Sequence, residues 1–234
     1  MPPSVYVVPT PLGGPPSEAL PAPALALVRD LRDFVAENAK SARAFLAAVG
    51  MPCALQELNI EALDEHTPEE AVHGLLAPLR QGRPLGLLSE AGCPAVADPG
   101  ALLVAAAHRE GYQVTPLIGP SSILLALMAS GLEGQRFAFC GYLPRDRDGR
   151  DKRIRELERR SRTDRATQIF IETPYRNEAM IDALLRVCAP GTRLCVAANL
   201  TLPQQSVATR SIEDWRAAPP QPGRHPSVFL LFAG

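Results

Sequence analysis

Short apolar runs alternate with amphipathic stretches through the first half of the chain. Strand-like runs occupy residues 4–8, 33–36, 85–88 and 113–118. Helix-like stretches fall near 18–29, 39–49, 68–81 and 101–110. Leu25, Val28 and Leu31, then Phe45, Leu46 and Val49, recur at helical spacing, so each set marks the buried face of a helix. Regular βα alternation predicts a parallel sheet layered with helices. From about Gly119 the pattern changes. A helix over 121–131, a strand at 137–141, a charged helix near 150–162, a strand at 168–171 and a helix ending near Val187 precede three strands at 193–197, 204–209 and 226–232. Those last three are close enough in sequence to pair antiparallel, and the Pro-rich stretch 219–226 reads as the loop before the final one. The expected fold class is therefore α/β: residues 1–117 form one α/β domain, residues 118–234 form a second with a mixed sheet, and a cleft lies between them. No solenoid-type repeat is present.

Three stiff loops follow predicted strands. The first is Pro9-Thr10-Pro11-Leu12-Gly13-Gly14-Pro15-Pro16. The second is Ser89-Glu90-Ala91-Gly92-Cys93-Pro94-Ala95-Val96-Ala97-Asp98-Pro99-Gly100, and the third is Gly119-Pro120-Ser121-Ser122. Glycine there reaches backbone angles closed to other residues, while proline fixes its own. Asp98 is a carboxylate candidate for burial in the second loop. Ser121 or Ser122 is suited to cap the following helix, whose exposed amides suit an anion. Ligands of open α/β sheets bind at the carboxyl ends of strands, so three such loops predict a ligand cleft.

Composition narrows the partners. In 234 residues, 46% are hydrophobic and 21% charged, which suits a soluble globular protein. A formal net charge of −1 exerts no global pull toward nucleic acid or membrane. No apolar run approaches the ~20 residues that span a bilayer, and the start of the chain lacks a charged-then-apolar signal. Cys53, Cys93, Cys140, Cys188 and Cys195 are scattered, odd in number and without metal-type pairing, so reduced thiols, a cytoplasmic location and no metal are expected. A phosphate-binding hydrolase is excluded by the lack of a Gly-Lys-Ser/Thr loop or an Asp/His metal cluster.

The three loops, in this order and spacing, resemble the tetrapyrrole methylase superfamily of S-adenosylmethionine-dependent methyltransferases. The branch most similar is that of the small-subunit ribosomal RNA 2′-O-methyltransferases. The likeness rests on Tyr6-Val7-Val8-Pro9-Thr10-Pro11-Leu12-Gly13, on Leu88 through Pro94 with Asp98-Pro99-Gly100, and on Pro116 through Ser122. It continues in Phe139-Cys140-Gly141-Tyr142-Leu143-Pro144 and in Phe170-Ile171-Glu172-Thr173-Pro174-Tyr175-Arg176. The resemblance implies two α/β domains, a homodimer and S-adenosylmethionine held in the cleft. Pro9, Pro11 and Gly13 would line the cofactor from the first strand's end. Ser89, Glu90, Ala91, Gly92, Pro94 and Asp98 would form the central wall, with Ser121 and Ser122 meeting it. Tyr142 and Leu143 would close part of the adenosine pocket.

Departures from the branch fall on charged positions. Its acid-Asp-Thr-Arg segment is Glu37-Asn38-Ala39-Lys40 here, and its Glu-Leu-Thr-Lys segment is Asn199-Leu200-Thr201-Leu202. A His-Asn-Glu-like cluster is represented by Asp64-Glu65-His66-Thr67, and the Gly-Glu before the last strand by Pro226-Ser227. Glu37 is the preferred catalytic candidate, or else a charge at a helix start. Lys40 either contacts a phosphate or is solvated. Arg176 serves a substrate or the surface between the domains. Ten basic residues against six acids lie between Arg145 and Arg165. Arg159 and Arg160 in this run either contact an RNA backbone or belong to a solvated helix laced with ion pairs. The expected function is methylation of a ribose 2′-hydroxyl of ribosomal RNA in the small subunit. The alternatives are a tetrapyrrole or other small-molecule methyltransferase, and a cofactor-binding paralogue with little activity.

Overall fold

The computed structural model describes residues 3–64 and 66–234, which divide into two compact units, Met1–Ser121 and Ser122–Gly234. Glu65, in the segment compared above with a His-Asn-Glu cluster, lies outside the described residues.

In the first unit β1 (Ser4–Val8) leads to α1 (Pro16–Ala19), α2 (Ala22–Asp30), β2 (Asp33–Ala36), α3 (Ala39–Val49) and β3 (Asn59–Ala62). There follow α4 (Glu69–Val72), α5 (Ala77–Arg80), β4 (Leu85–Leu88), α6 (Gly100–Arg109) and β5 (Gln113–Pro116). The sheet order is β3-β2-β4-β1-β5, and every pairing is parallel. Parallel strands need helical crossovers, which cover both faces of the sheet and make its central strands apolar throughout. Side-chain alternation sorts the core accordingly. Tyr6, Val8, Phe34 and Leu88 pack with Val28, Leu31 and Leu46. Val5, Val35, Leu85 and Leu87 pack on the other side with Leu79, Leu103 and Ala106.

Two features hold this sheet in register. A Cβ on Gly86 would meet Phe34 Cδ1 at 2.6 Å and Leu31 Cδ1 at 3.1 Å, so the glycine makes room for a fully buried ring on the adjacent strand. At the amino ends of the strands, buried Asp33 accepts from Arg83 Nε at 2.8 Å and Nη2 at 3.1 Å, and from Asn59 Nδ2 at 3.2 Å. That bidentate pair ties β2, β3 and the approach to β4 together at the end opposite the three loops.

The second unit contains α7 (Ser122–Ser130), β6 (Phe137–Tyr142), α8 (Arg147–Asp164), β7 (Thr167–Glu172) and α9 (Asn177–Val187). It continues with β8 (Arg193–Ala198), β9 (Ser206–Ser211), α10 (Ile212–Ala217) and β10 (Ser227–Phe232). Its sheet order is β6-β7-β10-β8-β9. Only β6 and β7 are parallel, and β10 inserts antiparallel between β7 and β8. Phe170 and Phe229 stack at 5.7 Å across this insertion, and Trp215 Nε1 donates to Leu194 O at 2.9 Å. Buried Glu158 on α8 accepts from Ala189 N at 2.8 Å and Thr192 Oγ1 at 2.5 Å, bracing the turn before β8.

The architecture matches the expected α/β class with a mixed second sheet, and β8, β9 and β10 pair antiparallel as the spacing suggested. Several elements differ. The helix expected over 18–29 is two helices, because Leu20 precedes Pro21 and is extended at φ −119°, ψ 139°. The stretch 68–81 breaks into α4, a 3-10 turn at His73–Leu76 and α5, with Pro78 in the first turn of α5. The strand β3 escapes the apolar pattern because it is an edge strand with three exposed residues out of four. The pattern made no assignment where the short helix α10 forms, and β9 begins two residues later than its pattern suggested.

Gly86→Ala is expected to lower unfolding free energy by about 1–3 kcal/mol, the usual cost of overpacking a filled core. Urea denaturation would show this as a lower midpoint at unchanged slope. A midpoint equal to that of the parent would mean that Phe34 does not hold the position its contacts indicate.

Candidate functional site

In the first unit the carboxyl ends of β1, β4 and β5 open into the three loops, which lie against one another. Thr10 and Gly92 form an isolated antiparallel bridge, with Thr10 N donating to Gly92 O at 2.9 Å and Gly92 N to Thr10 O at 3.0 Å. The side chains repeat the link. Thr10 Oγ1 donates to Ser89 O at 3.3 Å, and Ser89 Oγ donates to Gly92 O at 3.0 Å. The third loop closes onto both others. A Cβ on Gly119 would fall 2.3 Å from Pro9 Cβ, and Cys93 Sγ donates to Pro120 O at 3.4 Å. Backbone at such close approach requires glycine, which gives the Gly-Pro pair its place in this loop.

The middle loop carries backbone strain. Ala95 and Ala97 have φ of 65° and 63°, a region alanine seldom occupies, and Gly92 has φ of 80°. Asp98 holds the turn together: its Oδ1 accepts from Ala95 N at 2.7 Å and from Gly100 N at 2.8 Å. Burial pushes the Asp98 carboxyl above its ordinary range, while those two N–H groups pull the other way. Burial also pushes the Cys93 thiol up, so it stays protonated rather than acting as a thiolate nucleophile.

The sequence-selected residues distribute as follows. Pro9 is buried, Pro11, Gly13 and Ser121 are half-buried, and Ser89, Gly92 and Pro94 are buried in the loop cluster, whereas Glu90 and Ala91 are exposed. Glu37 directly follows Ala36, the register partner of Leu88, so it stands level with Ser89 and is exposed. Asn38 caps α3, accepting from Lys40 N at 2.9 Å and Ser41 N at 3.3 Å. Ser41 Oγ donates to Glu90 Oε1 at 3.0 Å, linking this helix start to the central loop, and Lys40 is exposed. In the second unit Ser122 begins α7, Tyr142 ends β6, and Leu143 belongs to the core. On α8, Arg160 pairs with Glu156 at 2.8 Å, and Arg159 is exposed. Arg176 is half-buried, 3.0 Å from the buried Glu172 carboxylate. Thr10 and Gly119 organise the cluster, yet only their Pro/Gly neighbourhood marked them in the sequence.

The altered segments carry structural roles of their own. Asn199 and Thr201 both have positive φ in the turn after β8, at 51° and 72°. Ser227 is buried, donates to His225 O at 2.9 Å and accepts from Asn177 Nδ2 at 3.2 Å. Among the described residues no group of three or more His, Cys, Asp or Glu side chains is placed to hold a metal ion. Among them also, no helix is long and apolar enough to cross a membrane.

Comparison with known proteins adds independent findings. The chain is 32% identical over 184 residues to a ribosomal RNA small subunit methyltransferase I of Halalkalibacterium halodurans, covering 79% of this chain and 60% of that protein. It is 33% identical over 198 residues to the protein of that name in Xylella fastidiosa, covering 85% and 68%. The chain thus spans about three fifths to two thirds of the length of these relatives. Among solved structures, the methyltransferase CobJ superposes with a TM-score of 0.65 at 20% identity, covering 98% of this chain and 93% of that one. A uroporphyrin-III C-methyltransferase from Thermus thermophilus, complexed with S-adenyl homocysteine, gives 0.60 at 20% identity, covering 98% and 97%. These superpositions establish a shared fold. The family model for tetrapyrrole (corrin/porphyrin) methylases matches residues 4–215, from the start of β1 into α10. Since that match takes in all three interlocked loops and both units, the chain belongs to the tetrapyrrole methylase family.

Proposed function

We propose that the protein is an S-adenosylmethionine-dependent methyltransferase that methylates a ribose 2′-hydroxyl of small-subunit ribosomal RNA. The observation that carries this reading is the interlocked loop cluster, together with relatives named for ribosomal RNA methylation. The cluster's chemistry fits the cofactor. Segments 9–14, 89–100 and 117–122 contain no lysine or arginine and two acids, Glu90 and Asp98. A cationic sulfonium would meet backbone carbonyls and small side chains there, with no like charge.

When bound, S-adenosylmethionine supplies an electrophilic methyl group. The protein's task is to align that group with the acceptor and exclude water, because in-line displacement depends on geometry. Pro9, Pro11, Gly13, Ser89 to Gly92 and Pro94 would hold the cofactor through rigid backbone. Asp98 contributes by fixing the strained turn that presents this backbone. Its carboxylate is already engaged by two N–H groups, which suits the chemistry: a strong free anion beside the sulfonium would stabilise the charged ground state more than the transition state. Glu37, level with Ser89 at the neighbouring strand end, would accept the proton of the RNA hydroxyl. Lys40 and Arg176 supply cations for phosphate. The chain pairs with a second copy through α7, where Leu124 and Met128 are 50% and 79% exposed one helical turn apart.

Calorimetric titration with S-adenosylmethionine, with and without small ribosomal subunits from an unmethylated source, tests the central reading. Binding with methyl transfer to the subunit supports it. Binding without transfer would move the acceptor to a tetrapyrrole or another small molecule, or leave a binding protein. Asp98→Ala is expected to weaken cofactor affinity about tenfold through lost loop preorganisation; unchanged affinity would remove Asp98 from the site. Glu37→Gln is expected to slow methyl transfer by about 10²-fold or more, the range of general-base effects. Its cofactor affinity should stay within about twofold, and full activity would dismiss Glu37 as the base. Met128→Glu should convert a two-chain mass in light scattering into a one-chain mass.

A further inference from the structure

The second unit has its own strand-end surface. Because β6 and β7 are parallel, and β10 is antiparallel to both β7 and β8, the carboxyl ends of β6, β7 and β8 share one end of the sheet with the start of β10. The loops there are held by a polar knot. Arg176 Nη2 donates to Pro144 O at 3.3 Å and lies 3.0 Å from Glu172 Oε2, whose side chain is fully buried. Asn177 Nδ2 donates to Gly223 O at 2.9 Å and His225 O at 2.8 Å, while Asn199 N donates to Pro226 O at 3.2 Å. Arg150 Nη1 reaches Arg145 O at 3.3 Å.

This knot gathers cations from three separate loops. Arg145 and Arg147 follow β6, Arg176 follows β7 and Arg224 precedes β10; Arg145, Arg147 and Arg224 are exposed. The acids nearby are Asp146, Asp148 and Glu172. Asp146 Oδ1 accepts from Gly149 N at 2.7 Å and Glu172 is buried beneath Arg176, so two exposed acids, Asp146 and Asp148, face three exposed arginines and the half-buried Arg176. Tyr175, adjacent to Arg176 in the turn after β7, is 68% exposed and offers an aromatic side chain to solvent. The middle of α8 differs. There Glu156 takes both Arg153 and Arg160, and Asp151 takes Arg186.

We propose that this strand-end surface docks a single-stranded segment of the RNA substrate, with Arg145, Arg147, Arg176 and Arg224 on phosphates, Tyr175 stacking on a base, and Glu172 as the positioning residue for Arg176. It rests on the RNA reading given above. An exposed tyrosine among arginines suits unpaired nucleotides, because bases in a duplex offer no face for stacking. A buried carboxylate restricts a long guanidinium to one orientation, so less freedom is lost when phosphate arrives.

The test is fluorescence anisotropy with a labelled single-stranded RNA of about 12 nucleotides over a salt series, measured apart from cofactor binding and methyl transfer. Arg145→Gln/Arg147→Gln/Arg224→Gln changes only exposed side chains. It should weaken RNA binding about tenfold and lower the log–log salt slope by about two, as expected for three lost phosphate contacts on a single strand. Tyr175→Ala should weaken binding about fivefold or more with the salt slope unchanged. Glu172→Gln should lose most of the affinity lost by Glu172→Gln/Arg176→Gln, whereas a merely structural Glu172 would lower thermal stability and leave RNA affinity alone. The proposal is overturned if the triple variant binds like the parent, or if Arg159→Glu/Arg160→Glu abolishes binding that the triple variant keeps. In either case methyl transfer by the parent protein leaves the methyltransferase reading standing. A parent protein that neither binds the RNA nor methylates the subunit would overturn the RNA reading itself.

Discussion

The two hydrogen bonds between Thr10 and Gly92 are the constraint on which the rest of the first unit depends. A parallel sheet sends every strand end into a loop with unsatisfied backbone groups, and loops so exposed usually move. Here the first two loops satisfy each other, Ser89 and Thr10 repeat the link with side chains, and Gly119 lets the third loop press on Pro9. The result is a rigid, nearly uncharged rim of backbone at the carboxyl end of the sheet. Alanines at positive φ persist only where surroundings overdetermine them, and the Asp98 carboxylate provides that determination.

The second unit meets a similar demand by different means. Its final strand enters the middle of the sheet, antiparallel to both neighbours, so β7 and β8 are joined by residues distant in sequence. Stacked Phe170 and Phe229 fill the core under that insertion. Buried polar groups then hold the loops around it: Glu158 beneath the turn before β8, and Asn177 beneath the approach to β10. A buried carboxylate or amide left without partners would cost more than its bonds contribute, so these contacts specify one arrangement.

The two units therefore divide their chemistry by charge. The rim of the first suits a cationic methyl donor, through carbonyls and small side chains. The strand ends of the second carry arginines and an exposed tyrosine, which suit a polyanion with flat bases. Three positions where the ribosomal RNA methyltransferase branch carries charge are here occupied by residues with evident local duties. Asn38 caps α3, Asn199 adopts a left-handed turn, and Ser227 closes a buried hydrogen-bond network.

How much of this was legible in the sequence follows from the range of the interactions involved. Central strands β1 and β4 and the helices α3 and α6 were legible because burial on a parallel sheet demands apolar runs and helical periodicity, which are local properties. So were the loops, since proline and glycine restrict backbone by themselves. The edge strand β3 was not, because pairing on one side needs no apolar pattern, and the split of 18–29 turned on the single Leu20-Pro21 step. The basic run 145–165 was plain in sequence, but its composition alone does not tell which arginines are engaged. Glu156 pairs within α8 with Arg153 and Arg160, a local spacing, whereas Asp151 takes Arg186 from α9 and Arg176 reaches Pro144 O beside Arg145, contacts between segments far apart in the chain. Sequence by itself thus determined the fold class, the family and the three Pro/Gly loops, because each is written in neighbouring residues. Only the tertiary structure decided that Thr10 and Gly119 lock those loops and which cations remain outward, because those are contacts between residues tens of positions apart.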